Sequence, residues 1–140
     1  MSEMISVIIF RGAEMDINDQ KDIQASKIVE YKLIPDEVQT YYDIIGCDTV
    51  EFVIKQIGGK KYRVICDEMA RYKSGLIITM ANPKNTNDII IGTVVIAGME
   101  KRGDLTSLTN EDIKNISNHL GYMVGKKEGR EIVCPVILTE

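Results

Sequence analysis

VEFVIKQIGGKKYRVIC, residues 50–66, decides the fold. Two strand-like runs flank Gly58-Gly59. A two-glycine centre is a strong hairpin signal, because the tight turns that match strand twist need positive φ. A two-residue loop then fixes the register. It places Val50, Phe52 and Ile54 on one face with Ile65, and Glu51, Lys55 and Tyr62 on the other. The first face is expected to meet a core and the second to be amphipathic.

Upstream, residues 5–10 are a short apolar run and read as the first strand. Residues 11–24, with Glu14, Asp16, Asn18, Asp19 and Asp22, read as an acidic loop. Asp16 and Asn18 have calcium-loop spacing, but Lys27 stands where a twelfth-position Glu belongs and the sixth-position Gly is absent, so calcium is rejected. Residues 27–33 alternate and read as a second strand. Pro35 and Asp36 open a helix carrying Val38, Tyr41, Tyr42 and Ile45, which Gly46 ends.

Downstream, residues 76–80 and 89–96 read as strands, the latter a nearly continuous apolar run suited to a central position. Residues 82–87 between them form a polar, turn-rich loop. Thr109, with Asp112 three residues on, caps a second helix with an apolar stripe of Ile113, Ile116 and Leu120. Gly121 or Gly125 ends that helix, residues 126–130 are a charged loop, and residues 132–138 are a strand that Pro135 assigns to an edge. The order predicts one α+β domain over residues 1–140, an antiparallel-rich sheet with two helices packed on one face.

Of 140 residues, 44% are hydrophobic and 27% charged, enough for one core and a soluble surface. The net charge of −4 gives no basic footprint for duplex nucleic acid. Three widely spaced cysteines and the single His119 supply neither a disulfide framework nor a zinc set, which points to free thiols in a reducing compartment. No stretch is long enough to span a membrane and the N-terminal run lacks a basic flank. The expected location is cytoplasmic.

Enzyme signatures are absent: no G-x-S-x-G elbow, no P-loop, no G-x-G-x-x-G after a strand. Asp67-Glu68 is a carboxylate pair at a strand end, but neighbouring residues of an extended segment point apart, so it reads as a solvated turn. The binding candidates lie in three loops. Arg71 and Lys73 can neutralise phosphate and Tyr72 can stack on a base. Asn82, Lys84 and Asn85 add donors, as do Arg102, Thr106 and Ser107, with Arg63 on the hairpin. Together they describe a polar pocket for a nucleotide-like ligand, with no metal and no cofactor.

A resemblance adds to this reading. Residues 44–51 (IIGCDTVE), the Gly58-Gly59 hairpin, residues 64–68 (VICDE), residues 91–98 (IGTVVIAG) and residues 104–113 (DLTSLTNEDI) are similar in order to a small domain family of unknown function found mainly in phages and other mobile elements. It covers roughly residues 31–120. Family members carry a glycine soon after the Asp-Glu pair, where this chain has Met69-Ala70-Arg71. The resemblance implies a phage-type origin. Together with the missing catalysis and the Arg71-Tyr72-Lys73 and Asn82-Lys84-Asn85 loops, it leads to the expectation of an anti-defence protein in an infected or lysogenic bacterial host. The expected function is sequestration, by a homo-oligomer, of a nucleotide-derived immune signal such as a cyclic nucleotide or a cyclic ADP-ribose-like molecule, without cleavage. The alternative is a protein-interaction module that inhibits or adapts a host or phage protein. A third reading is a hydrolase of such signals that recruits a metal through Asp67 and Glu68.

Overall fold

The Gly58-Gly59 turn closes as its composition demands. In the computed structural model, which describes residues 3–16 and 29–140, Ile57 pairs with Lys60, Phe52 with Ile65 and Val50 with Asp67. Gly58 is also required for a second reason. A Cβ there would lie 2.1 Å from Asn115 Oδ1, far inside contact distance.

The elements in chain order are β1 (Met4–Phe10), β2 (Met15–Asp16), β3 (Val29–Pro35), α1 (Val38–Ile45), β4 (Val50–Ile57), β5 (Lys60–Asp67) and a 3-10 turn (Ala70–Tyr72). They continue as β6 (Ile78–Asn82), β7 (Asn85–Ile91), β8 (Val94–Met99), β9 (Leu105–Thr106), α2 (Asn110–Ser117), β10 (Leu120–Lys127) and β11 (Arg130–Leu138). One sheet runs β3-β1-β8-β5-β4, with β9 added to β8. A second runs β10-β11-β6-β7, with β2 added to β11. The pairing of β11 with β6 is parallel and the others are antiparallel. The α+β, antiparallel-rich expectation therefore stands in two sheets rather than one. Asn18, Lys27 and Ile28, which entered the calcium and second-strand readings, lie outside the described residues.

The centre of the first sheet, β1 and β8, is buried on both faces. Ile5, Val7 and Ile9 of β1 join Ile34, Ile65, Val95 and Ala97 around Tyr41 of α1. Ile8 and Phe10 turn the other way and meet Tyr62, Val64, Ile96, Met80 and Ile137, together with Ile116 of α2. That two-sided burial is why β1 and β8 read as continuous apolar runs. It also corrects the expectation of two helices on one face: α1 covers one side of the first sheet, and α2 belongs to the core on the other side. The hairpin faces need a matching correction. Tyr62 and Val64 are fully buried, while Phe52 and Ile54 on the edge strand are exposed.

Three further expectations change. The apolar run of residues 89–96 is two strands, because Gly92 (φ +91°) breaks it and sends β7 and β8 into different sheets. Gly121 and Gly125 do not end a helix. α2 stops at Ser117 and the chain turns into β10, which pairs with β11 through a turn at Glu128 (φ +51°) and Gly129 (φ +77°). Finally, β11 is an inner strand despite Pro135. Counted from that two-residue turn, Pro135 directs its nitrogen away from β10. On that side it falls between the residues paired with β2 (Ile132, Val133) and those paired with β6 (Ile137, Leu138), so no ladder bond is lost.

A polar clamp holds α2 to the β4–β5 hairpin. Thr109 and Asp112 form a full capping box: Asp112 N–H donates to Thr109 Oγ1 at 3.1 Å and Thr109 N–H to Asp112 Oδ2 at 2.9 Å. The other carboxylate oxygen of Asp112 accepts from Lys60 Nζ at 2.5 Å and from the buried Tyr62 hydroxyl at 3.0 Å. Asn115 Nδ2 donates to Tyr62 Oη at 3.0 Å and to Ile57 O at 2.9 Å. Burial alone would raise the pKa of Asp112, but the hydrogen bonds from Lys60, Thr109 and Tyr62 outweigh it and hold the carboxyl below its ordinary range. The folded state thus binds this proton less readily than the unfolded chain. The resulting stabilisation is complete above the ordinary Asp value and fades as the pH falls through the depressed one. Asp112→Asn should cost about 1–3 kcal/mol in urea unfolding at neutral pH. Its deficit relative to the native chain should narrow below about pH 4.

Candidate functional site

β4 and β7 are the terminal strands of their sheets, on the same side of the two-sheet stack. Lys55 of β4 and Asp88 of β7 form an ion pair across the gap, and Asn82 Nδ2 supports Asp88 Oδ2 at 3.2 Å. Lys55 first, then Asn82, holds the Asp88 carboxyl below its usual range against the opposing effect of burial. Between the strands lies a cleft of about 410 Å³. Its apolar surface comes from Val53 on β4, Ala70 on the 3-10 turn and residues 89–91 on β7, and its rim carries Glu51, Glu68, Arg71 and Asn87. Glu51, Val53 and Lys55 meet there because alternate residues of one strand share a face.

The segment after β5 is built on Asp67. Its buried carboxylate accepts from Met69 N–H at 2.9 Å and pairs with Lys73 Nζ at 2.6 Å. This closes the 3-10 turn and leaves Arg71 and Tyr72 outermost. Arg71 lines the cleft, Tyr72 is 76% exposed, and neither side chain makes a hydrogen bond or ion pair with the described residues. Asp67 and Glu68 both reach the cleft, but Asp67 has its cation already. Burial, then Glu51, pushes the Cys66 thiol up to about 11, which makes it a poor nucleophile at neutral pH. The three cysteines are free, Cys66 and Cys134 buried and Cys47 half-buried. Among the described residues no three His, Cys, Asp or Glu side chains are gathered as metal ligands.

The ten residues singled out from sequence do not share one pocket. Lys73 is committed to Asp67. Asn82 Oδ1 accepts from Lys84 N–H at 2.9 Å and Asn85 Oδ1 from Asn87 N–H at 3.1 Å, so these amides shape the β6–β7 turn, with Lys84 exposed at its tip. Arg63 lies on the α1 side of the first sheet, where Nε donates to Gly103 O at 3.0 Å and Nη1 to Phe52 O at 3.3 Å. It lines a separate concavity of about 480 Å³ with Glu3, Asp36, Glu100 and Asp104. Arg102 is exposed in the loop above. Thr106 sits against Gly98 in the β8–β9 pairing, and Ser107 Oγ accepts from Ser6 N–H at 2.9 Å. Only Arg71 lines the first cleft and only Arg63 the second. Glu51, Lys55 and Asp88 were missed as site residues. The period-two pattern already put Glu51 and Lys55 on one face, but the strand that brings Asp88 opposite them had been read as loop at its start.

A family model for a domain of unknown function, DUF3846, matches residues 17–121. The chain belongs to the DUF3846 family. The match leaves out β1 and β11, although each is an inner strand of its sheet. No curated protein and no solved structure matches this DUF3846 chain.

The two cations of the 3-10 segment should behave differently on removal. Arg71→Ala should leave the melting temperature unchanged. Lys73→Ala strands a buried carboxylate and should lower it clearly, which paired thermal melts will read.

Proposed function

We propose that this DUF3846 chain is a non-catalytic protein-interaction module that takes an extended segment of a partner polypeptide into the cleft between β4 and β7. The observation that carries the reading is the meeting of two terminal strands across one cleft with an apolar wall. An extended peptide can add to such an edge through main-chain hydrogen bonds and place alternate side chains against the apolar wall. Electrostatics supports a polypeptide over a polyanion. Lys55 is neutralised by Asp88 and Lys73 by Asp67, which leaves Glu51 and Glu68 facing Arg71. A segment of alternating apolar residues with a Lys or Arg near Glu51 and Glu68 fits that rim. In the phage or mobile-element setting that the resemblance implies, such a module inhibits or adapts a host or phage protein in the bacterial cytoplasm.

A second reading, sequestration of a cyclic nucleotide or cyclic ADP-ribose-like signal, is favoured by Arg71 and the exposed Tyr72 at the cleft mouth. The cleft volume is also within the range for small ligands.

Selection of random linear peptides on the purified protein separates the two. Enriched extended peptides whose binding Ile89→Asp weakens tenfold or more, at unchanged melting temperature, support the module; Ile89 lines the cleft and is partly exposed. No enrichment, together with a melting shift in cyclic dinucleotide or ADP-ribose derivatives, would replace it with the second reading. Ligand at about 100 times its dissociation constant adds roughly 2.7 kcal/mol, which a thermal melt resolves easily.

A further inference from the structure

β3 closes the first sheet on the side away from the cleft, and among the described residues it pairs only with β1. Edge strands are usually guarded by charged side chains, proline, bulges or a covering segment. Among the described residues, the other three edges carry such features over part of their length, which leaves the cleft side of β4 and β7 open. β7 has register irregularities against β6. The end of β4 is strapped by Glu140, whose N–H donates to Gln56 O at 2.9 Å and whose carboxylate accepts from Gly59 N–H at 2.8 Å. β10 ends in Lys126-Lys127. β3 runs in unbroken register against β1 from Val29 to Pro35, with its only proline at the end, and its two charges, Glu30 and Lys32, are of opposite sign. Tyr31 is 53% and Leu33 58% exposed.

The sequence of this strand is its own complement. Paired antiparallel with a second copy about a two-fold axis at Tyr31, Glu30 lies opposite the partner's Lys32 and Lys32 opposite the partner's Glu30. Val29 then meets the partner's Leu33, and the two tyrosines face each other. Directly opposed unlike charges stabilise a strand pair and like charges destabilise it, and this isologous arrangement closes on itself without propagating. Glu30 also stands 3.6 Å from Arg11, both about half exposed, a contact weak enough to give way. We infer that a second copy of this chain pairs with the outer edge of β3, joining the first sheets of two molecules into one.

The neighbouring surface extends the contact. Tyr31 Oη is 3.3 Å from Ser117 Oγ at the end of α2, and β10, which starts at Leu120, ends the second sheet on this same side. Tyr122 and Val124 of β10 are 57% and 62% exposed. A specific dimer covers on the order of 1,200 Å² or more, so the pairing draws on this seam as well as on β3. The interface lies on the opposite side from the β4–β7 cleft and does not depend on what the cleft binds.

Sedimentation of the full chain over a dilution series tests the pairing. The native chain should dimerise reversibly. Lys32→Glu and Glu30→Lys, each placing two like-charge pairs in the interface, should weaken dimerisation about tenfold or more. The double variant exchanges the charges and should restore it. Tyr31→Cys should give a disulfide-linked dimer on mild oxidation, because the self-opposed position brings two Cα atoms within disulfide reach; the native chain with its three cysteines should not. A monomer at every concentration, a dimer indifferent to single reversals, or a double variant that stays dissociated would each overturn the inference.

Discussion

The chain changes sheets at Gly92, and the rest of the molecule depends on how that change is made. Gly92 holds φ at +91°, a backbone state that side chains other than glycine's rarely adopt. Its N–H donates to Ile77 O at 2.7 Å and its carbonyl accepts from the hydroxyl of the fully buried Thr79, also at 2.7 Å. The bend is therefore tied to the start of the second sheet from both sides. Before it, β7 lies on the open edge of that sheet; after it, Val94, Val95, Ile96 and Ala97 of β8 are fully buried at the centre of the first. One apolar run thus supplies the edge of one sheet and the heart of the other, and the cleft lies beside the residues that precede the bend.

At the far end the two sheets are joined by polar contacts. Asp112 gathers the α2 cap, the half-exposed Lys60 and the buried Tyr62 hydroxyl into one network that holds α2 to the hairpin of the first sheet. Glu140 brings the end of β11 in the second sheet back to the β4–β5 tip. Buried polar networks stabilise only when every member is satisfied, and then they also fix a unique arrangement. Here that arrangement sets the line of β4. With the Lys55–Asp88 ion pair spanning the strands, the open edge facing the cleft rests on well-anchored structure rather than on a loose hairpin, which is what a preformed binding edge needs.

Much of this was legible where a local rule decides the outcome. Two glycines between strand-like runs gave the hairpin and its register from Val50 to Asp67. Gly46 ends α1 with φ +77°, and Thr109 and Asp112 make the cap their spacing suggested. What was not legible depends on partners distant in the chain. The run IIIGTVVI carries no mark of its break except one glycine, and glycine within a strand run has several meanings. Glu128-Gly129 lacks the Asn or Asp of the strongest hairpin turns, so β10 was read as a helix tail followed by a charged loop. Pro135 argued for an edge because its harmless position depends on where β2 and β6 stop. The candidate site followed the same division. Arg71 was found as a cation because nothing nearby claims it. Lys73 was chosen beside it because a buried Asp67 six residues earlier looked like part of a solvated turn, and Arg63 because its carbonyl partners come from elsewhere in the fold.

The most direct measurement is the urea-unfolding free energy of Gly92→Ala beside Gly125→Ala, the latter at a position with ordinary φ and room for a methyl. If Gly92 is the point at which the chain passes between sheets, its alanine variant should lose about 1–3 kcal/mol while the Gly125 variant changes little. A Gly92→Ala protein as stable as the native chain would contradict the positive-φ bend at Gly92, and with it the passage between sheets on which the cleft depends.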